Sequence, residues 1–157
     1  MVKIKIIFLD IDGVLNCQTS KSNSGGVLGI DSKKVKLLRR IIDQTNTKIV
    51  LCSSWKTFWD HNKDEQTEIA NYLDRKLKRE NLFILDKTDD KGYNRGEGIV
   101  NWLQDKTVEQ WIVLDDEIFD DYDKYNVIEH LVKTSFYSEN GGLQEEHVQM
   151  AVEMLNK

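Results

Sequence analysis

The segment Phe8-Leu9-Asp10-Ile11-Asp12-Gly13-Val14-Leu15-Asn16 places two carboxylates one residue apart at the end of an apolar run, and Gly13 then lets the chain turn sharply. Far downstream, Val113-Leu114-Asp115-Asp116 repeats the arrangement: an apolar run that ends in acids. If the two runs lie side by side, Asp10, Asp12, Asp115 and Asp116 crowd together. Carboxylates that close raise one another's pKa unless a cation sits among them. A hard divalent ion answers the problem, and magnesium favours a few carboxylates completed by water and phosphate oxygens. The acids therefore predict a metal site, Mg2+ by preference, with room for a phosphate.

Hydrolysis of a phosphate monoester is among the slowest uncatalysed reactions, and acids alone would repel the dianion. Positive charge must come from the metal and from a lysine or arginine. With that screening, one carboxylate can attack phosphorus in line and form an aspartyl-phosphate. A second carboxylate can protonate the leaving oxygen and later take a proton from the attacking water. The Asp10-x-Asp12 spacing suits this division of labour. An isolated Asp-x-Asp is more often a solvated turn; the strongly apolar strand before it and the Gly-Val after it favour catalysis here.

The elements that must position these groups alternate. Ile4 to Ile11 reads as a buried strand, Lys48 to Cys52 as a second, Asn81 to Leu85 as a third, Trp111 to Leu114 as a fourth, and Val127 to Val132 as a fifth. Between them lie helical patterns: one behind an Asp31 N-cap with Val35, Leu37, Leu38, Ile41 and Ile42, one through Ile69, Leu73 and Leu77, and one from Gly96 to Leu103. A last helix follows Gly141-Gly142 and carries Val148, Ala151, Val152 and Leu155. Such alternation predicts an α/β, three-layer Rossmann-like fold around a central parallel sheet. Ligands of open α/β sheets bind at the carboxyl ends of the strands. Asp10 and Asp12 end the first strand, Ser53 and Ser54 the second, and Asp115 and Asp116 the fourth, so three segments bring polar groups to one rim.

Bulk composition narrows the field. A length of 157 residues fits one domain, 1–157, able to bury a core without disulfides. A net charge of -5 gives no overall attraction to nucleic acid, although a local basic groove is compatible with it. Cys52 sits in an apolar run, Cys17 follows the motif loop where exposure is open to it, and neither has metal-ligand spacing. The first residues are too short and too alternating for a signal peptide, and no stretch is long enough to cross a bilayer; a cytoplasmic location and no membrane partner are the simplest expectation.

With the motifs in place, the chain resembles the haloacid-dehalogenase (HAD) superfamily of phosphatases from Ile4 through Asp116. The resemblance implies that Asp10 is the nucleophile and Asp12 the general acid/base. It also implies that magnesium is bound by the Asp10 side chain and the Asp12 backbone carbonyl. Ser53, at the end of Ile49-Val50-Leu51-Cys52, takes the place of the hydroxyl that holds a phosphoryl oxygen. Asp115 and Asp116 match the acidic pair, with Asp115 the first choice as metal ligand. Arg95, in Asn94-Arg95-Gly96 before a helix that precedes the acidic strand, is the choice for the basic residue beside the phosphate; Lys56 competes with it, and Lys91 is a weaker third. Asn16 to Ile30 is too short for a folded cap, so the resemblance implies a capless, open site, shielded only by the Ser20–Gly29 loop and accessible to bulky phosphoesters. DIDGVLN, SSW, RGEGIVNWL, LDD and GGL together are similar to a branch associated with RNA repair and polynucleotide phosphatases, which implies a phosphorylated nucleic-acid end as substrate.

Each site residue also has a bland reading: Ser53 or Ser54 as a helix cap, Arg95 as a surface residue, Asp120, Asp121 and Asp123 as a solvated acidic run, and Trp55, Phe58 and Trp59 as packing residues. Of these aromatics, Trp55 is the one to test as a base-stacking group. Two readings from other classes also stand: a phosphate-accepting signalling module, and a catalytically inactive HAD-fold nucleic-acid-binding protein. In receiver-type modules the acidic pair comes first and the phosphorylated aspartate later, the reverse of the order here. Oligomeric state is not legible.

Overall fold

The computed structural model describes residues 3–21, 26–90 and 94–157. Strand β1 (Ile4–Leu9) forms where β-branched and aromatic side chains alternate between two covered faces. Helix α1 (Ser32–Thr45) starts at Asp31, whose side chain accepts from the Lys33 N–H, and stops at Asn46 in the left-handed conformation. Next come β2 (Thr47–Leu51), a short 3₁₀ turn (Ser54–Thr57), α2 (Glu68–Lys78), β3 (Ile84–Lys87), α3 (Arg95–Leu103), β4 (Val108–Asp115), β5 (Leu131–Lys133) and α4 (Glu145–Leu155).

All strand pairings are parallel, and the sheet order is β3-β2-β1-β4-β5. The chain winds outward from β1 on one side and returns to the other side at β4, so the strand order reverses between β1 and β4. At such a switch point the loops after the two strands diverge and leave a crevice. Asp10 and Asp115 stand at its two lips, and the Asp10 N–H still donates to the Leu114 carbonyl at 3.0 Å.

Alternate side chains of β1 fill two cores. Ile7, Leu9 and Ile11 pack with Leu38, Ile41, Leu73, Ala151 and other residues of α1, α2 and α4 on one face. Ile6 and Phe8 pack with Ile99, Trp102, Tyr122 and Val127 on the other. The expected three-layer α/β arrangement with a central parallel sheet is present, and among the described residues no cap domain is inserted after β1 or β3.

Two strands begin later than the sequence suggests. Residues from Asn81 onward were expected to enter β3, but Asn81 adopts φ 57° and the Leu82 N–H returns to the Leu77 carbonyl, so these residues close α2. Asn126 at φ 58° and a bond from the Val127 N–H to the Tyr122 carbonyl likewise make Ile128–His130 a 3₁₀ turn, leaving only Leu131–Lys133 as β5. Hydrophobic periodicity sees neither turn, because both depend on an asparagine tolerating left-handed backbone. Cys17, for which exposure was left open, is buried, and Cys52 is buried as expected.

Candidate active site

β1 and β4 pair in register from Lys5–Gln110 to Leu9–Leu114, so the residues that follow meet at the rim. Asp10, Asp115 and Asp116 each offer a carboxylate oxygen within 4.8 Å of the others. Gly13, at φ 86°, makes the close approach possible: a side chain there would collide with the carboxyl group of Asp116. The Gly13 carbonyl accepts from the Thr134 hydroxyl, which ties the first motif loop to the residue after β5.

Arg95 is buried at the first position of α3. Its Nη1 donates to Asp115 Oδ2 at 2.9 Å and lies 3.4 Å from Asp10 Oδ1, while its guanidinium covers the Phe119 ring at 4.0 Å. Burial works against the guanidinium's charge, but the neighbouring groups, Asp10 and Asp115 among them, outweigh it and hold Arg95 firmly protonated. Asp121 fixes the helix that carries it, accepting from the Gly96 N–H at 2.9 Å and the Glu97 N–H at 2.8 Å. The acidic run read as solvated therefore contains the N-terminal cap of α3. Sequence gave no signal for it, because the cap comes from a loop downstream of the helix.

Asp115 is fully buried and accepts from three protein donors. Its Oδ2 accepts from Arg95 and from the Tyr122 hydroxyl at 2.8 Å, and its Oδ1 from the Glu117 N–H at 3.1 Å. Burial first, then the nearby acidic groups, push the Tyr122 pKa far up, so its O–H stays a donor. Asp116, half-buried, faces the pocket. Asp115, the first choice as metal ligand, is engaged by protein donors, whereas Asp116 lines the pocket; both offer a carboxylate oxygen to the same cluster.

The clustering is electrostatically costly without a cation. Burial, and after it the charge of Asp115, raises the Asp10 pKa well above the usual carboxylate range, with Arg95 opposing. Asp116 is pushed up to about 6 by burial, with Asp115 and Glu117 adding to the effect and a hydrogen bond with Asp10 opposing. A divalent cation can take the place of the protons these acids otherwise retain, so the donor set fits a hard metal ion.

Asp12 stands apart from this cluster. Its Oδ1 accepts from Asn16 Nδ2 at 2.9 Å and its Oδ2 from the Trp55 indole N–H at 3.1 Å. Asn16 in turn accepts from the Gly13 N–H, which closes the motif loop on itself. Trp55 is buried, so it is not a stacking surface; its polar edge orients Asp12.

Ser53 is buried and its hydroxyl accepts from the Trp55 N–H at 3.2 Å, the capping geometry of its bland reading, with its own O–H proton left to donate elsewhere. Ser54, ranked below it from sequence, lines the pocket. Lys56 turns away, pairing with Asp90 at 2.8 Å and donating to the Ser53 carbonyl at 3.5 Å. Of the competing cations, Arg95 is the one the structure sets against Asp10; Lys91 lies outside the described residues, as do residues 22–25 of the Ser20–Gly29 loop.

The pocket has a volume of about 380 Å³ and opens to solvent, with Asp10, Asp12, Arg95 and Asp116 at its floor. Lys133, Ser135, Phe136 and Tyr137 form a wall that sequence reading did not single out. Nothing in the pattern around them marks chemistry, because only the β4-β5 pairing brings the segment after β5 to the same rim.

An all-parallel sheet of this order, with acids converging at its switch point and no cap among the described residues, defines a compact HAD-type domain, a fold class of phosphoesterases. The chain belongs to the family described as the HAD domain in Swiss Army Knife RNA repair proteins, which matches residues 6–148. No curated protein matches the sequence. Among the described residues, no helix is long and apolar enough to cross a membrane.

Proposed function

We infer that the protein is a magnesium-dependent phosphomonoester hydrolase that acts on phosphorylated nucleic-acid ends through an aspartyl-phosphate on Asp10. The observation that carries this reading is the meeting of Asp10, Asp115 and Asp116 beside the buried Arg95. Asp10, Asp115 and Asp116 would hold the magnesium ion, which would supply the charge that lets a phosphate dianion approach carboxylates. Arg95 steadies Asp10 and takes up charge on the transferring phosphoryl group.

Asp10 attacks phosphorus, an Asp10 oxygen–phosphorus bond forms, and the bond from phosphorus to the ester oxygen breaks. Asp12 gives a proton to that leaving oxygen. Asp12 then takes a proton from water, whose oxygen attacks the same phosphorus and releases inorganic phosphate and free Asp10. The hydrogen bonds from Asn16 and Trp55 hold Asp12 in one direction through both steps. The nucleic-acid substrate is supported by the RNA-repair description of the matching family and by the open, capless pocket.

The test is phosphate release from 3′- and 5′-phosphorylated oligonucleotides, phosphopeptides and sugar phosphates, with and without magnesium. Release that is fastest from oligonucleotides, needs the metal and vanishes in Asp10→Asn is the expected result. A phosphorylated Asp10 that never releases phosphate would point to a signalling module; oligonucleotide binding with no release, equal in wild type and Asp10→Asn, would point to an inactive binding protein.

A further inference from the structure

Tyr137 is 80 % exposed, more than any other large hydrophobic side chain among the described residues, yet it lines the same pocket as Asp10 and Arg95. An aromatic ring left in water gives up a large area of favourable burial. Three features show that this ring is held out and not merely loose. The Phe136 carbonyl accepts from the Gln18 N–H at 3.0 Å, which fastens the segment to the residues just after the first motif loop. The Gly142 N–H closes back on the Ser135 carbonyl at 2.7 Å and the Gly141 N–H on the Ser138 carbonyl at 3.0 Å, so the loop is bonded across its own base. The half-buried Phe136 meets Tyr137 edge to face at 5.0 Å and supports its ring from behind.

Lys133 adds charge to the same wall. Its ammonium contacts only the Thr134 carbonyl, at 3.5 Å, and among the described residues it is in no ion pair. One pocket thus combines acids with a buried arginine beside them, a lysine that pairs with no acid among the described residues, and a bare aromatic ring, the chemistry of a ligand that carries a phosphate, a flat π-system and a further negative charge.

We propose that Tyr137, backed by Phe136 and flanked by Lys133, is a nucleobase-stacking subsite that receives the terminal base of the oligonucleotide whose phosphate sits at Asp10. This rests on the nucleic-acid reading above and deepens it, because it names the group that distinguishes a nucleotide end from a bare phosphoester. Stacking on a single aromatic ring is tolerant of base identity, so the subsite selects a base and not a sequence. The neighbouring phosphodiester meets Lys133, which gives binding a salt dependence.

The experiment measures equilibrium binding of a fluorescent phosphorylated oligonucleotide to the 157-residue chain in an Asp10→Asn background, so that nothing turns over. A matched oligonucleotide whose terminal residue is abasic is the control. Tyr137→Ala is expected to weaken binding of the base-bearing end about tenfold and leave the abasic end unchanged, while Tyr137→Phe, which keeps the ring, stays within about twofold of the parent. Equal effects on both ends, no effect on either, or tighter binding of phosphopeptides than of oligonucleotides overturns the subsite. Failure of the hydrolase reading is read separately, as absent phosphate release from the wild-type chain, and leaves the base-dependent difference in affinity intact.

Discussion

The floor of the pocket and its outer wall are built by opposite means. At the floor, Asp115 is wholly buried and receives Arg95, Tyr122 and a backbone N–H, while Arg95 is itself fixed by a capped helix and a ring beneath its guanidinium. At the wall, Lys133 at the end of β5 and Ser135 and Tyr137 on the tethered loop after it are exposed side chains. Charge that must act on a transferring phosphoryl group is most effective when it needs no rearrangement at the moment of reaction, and burial with several partners provides that. Groups that choose a substrate must stay accessible until it arrives. On the proposed function, the floor would carry chemistry together with stability, and the wall selection with little stability at stake.

Substitutions can separate these roles. Asp10→Asn should have the largest effect on rate, a loss of at least about 10³-fold in phosphate release. It should leave the thermal midpoint unchanged or raised, because it removes one of several crowded acids. A fall in the midpoint would show that Asp10 has a structural duty that the floor's other groups do not share. Arg95→Met should damage both rate and fold. It leaves buried Asp115 without its cation and should cost about 3–5 kcal/mol in denaturant unfolding, alongside a loss of about 10²-fold or more in turnover. If stability survives while turnover collapses, chemistry and stability are not joined at Arg95 and the contrast between floor and wall fails there.

Trp55→Phe keeps the packing but removes the indole N–H from Asp12. It should lower kcat about tenfold, with a larger loss on esters whose leaving group is a weak acid than on activated ones. An equal loss on both would make Trp55 a packing residue alone. The smallest effect concerns metal and pH. The folded-state pKa of Asp116, about 6, is raised above its unfolded value, so its protonation favours the fold at low pH. That contribution is lost as pH rises through about 6, and Asp10 shifts in the same direction. Magnesium should restore what is lost, raising Tm by a few degrees at about pH 7.5 and by less at about pH 5. An equal rise at both values would place the metal away from these acids.

Much of the floor could be read from sequence because it is written in short runs at strand ends. Asp10, Asp115 and Asp116 follow apolar stretches, and the carboxyl-end rule for parallel sheets brings them together before any contact is known, while Asp12, expected to crowd with them, turns to Asn16 and Trp55. Arg95 could be placed by its position ahead of a helix. The supporting groups could not. Trp55 had the composition of a core residue, and its polar use depends on where one N–H points. Tyr122 and Asp121 lie in a stretch that looks like solvated loop, and their partners are Asp115, seven residues back, and α3, about 25 residues back. The wall was invisible for a related reason: its residues share a pocket with Asp10 only after β5 has paired with β4. Local pattern locates strand ends well, and it does not locate what tertiary pairing lays across them.

The central claim, that Asp10 accepts the phosphoryl group at the switch point between β1 and β4, is tested most directly by acid quenching during turnover with a radiolabelled phosphorylated oligonucleotide and magnesium, followed by peptide mapping. Label should appear on the peptide that contains Asp10, decay as free phosphate forms, and be absent from Asp10→Asn. Turnover with no protein-bound label, or label on a peptide lacking Asp10, would contradict the account.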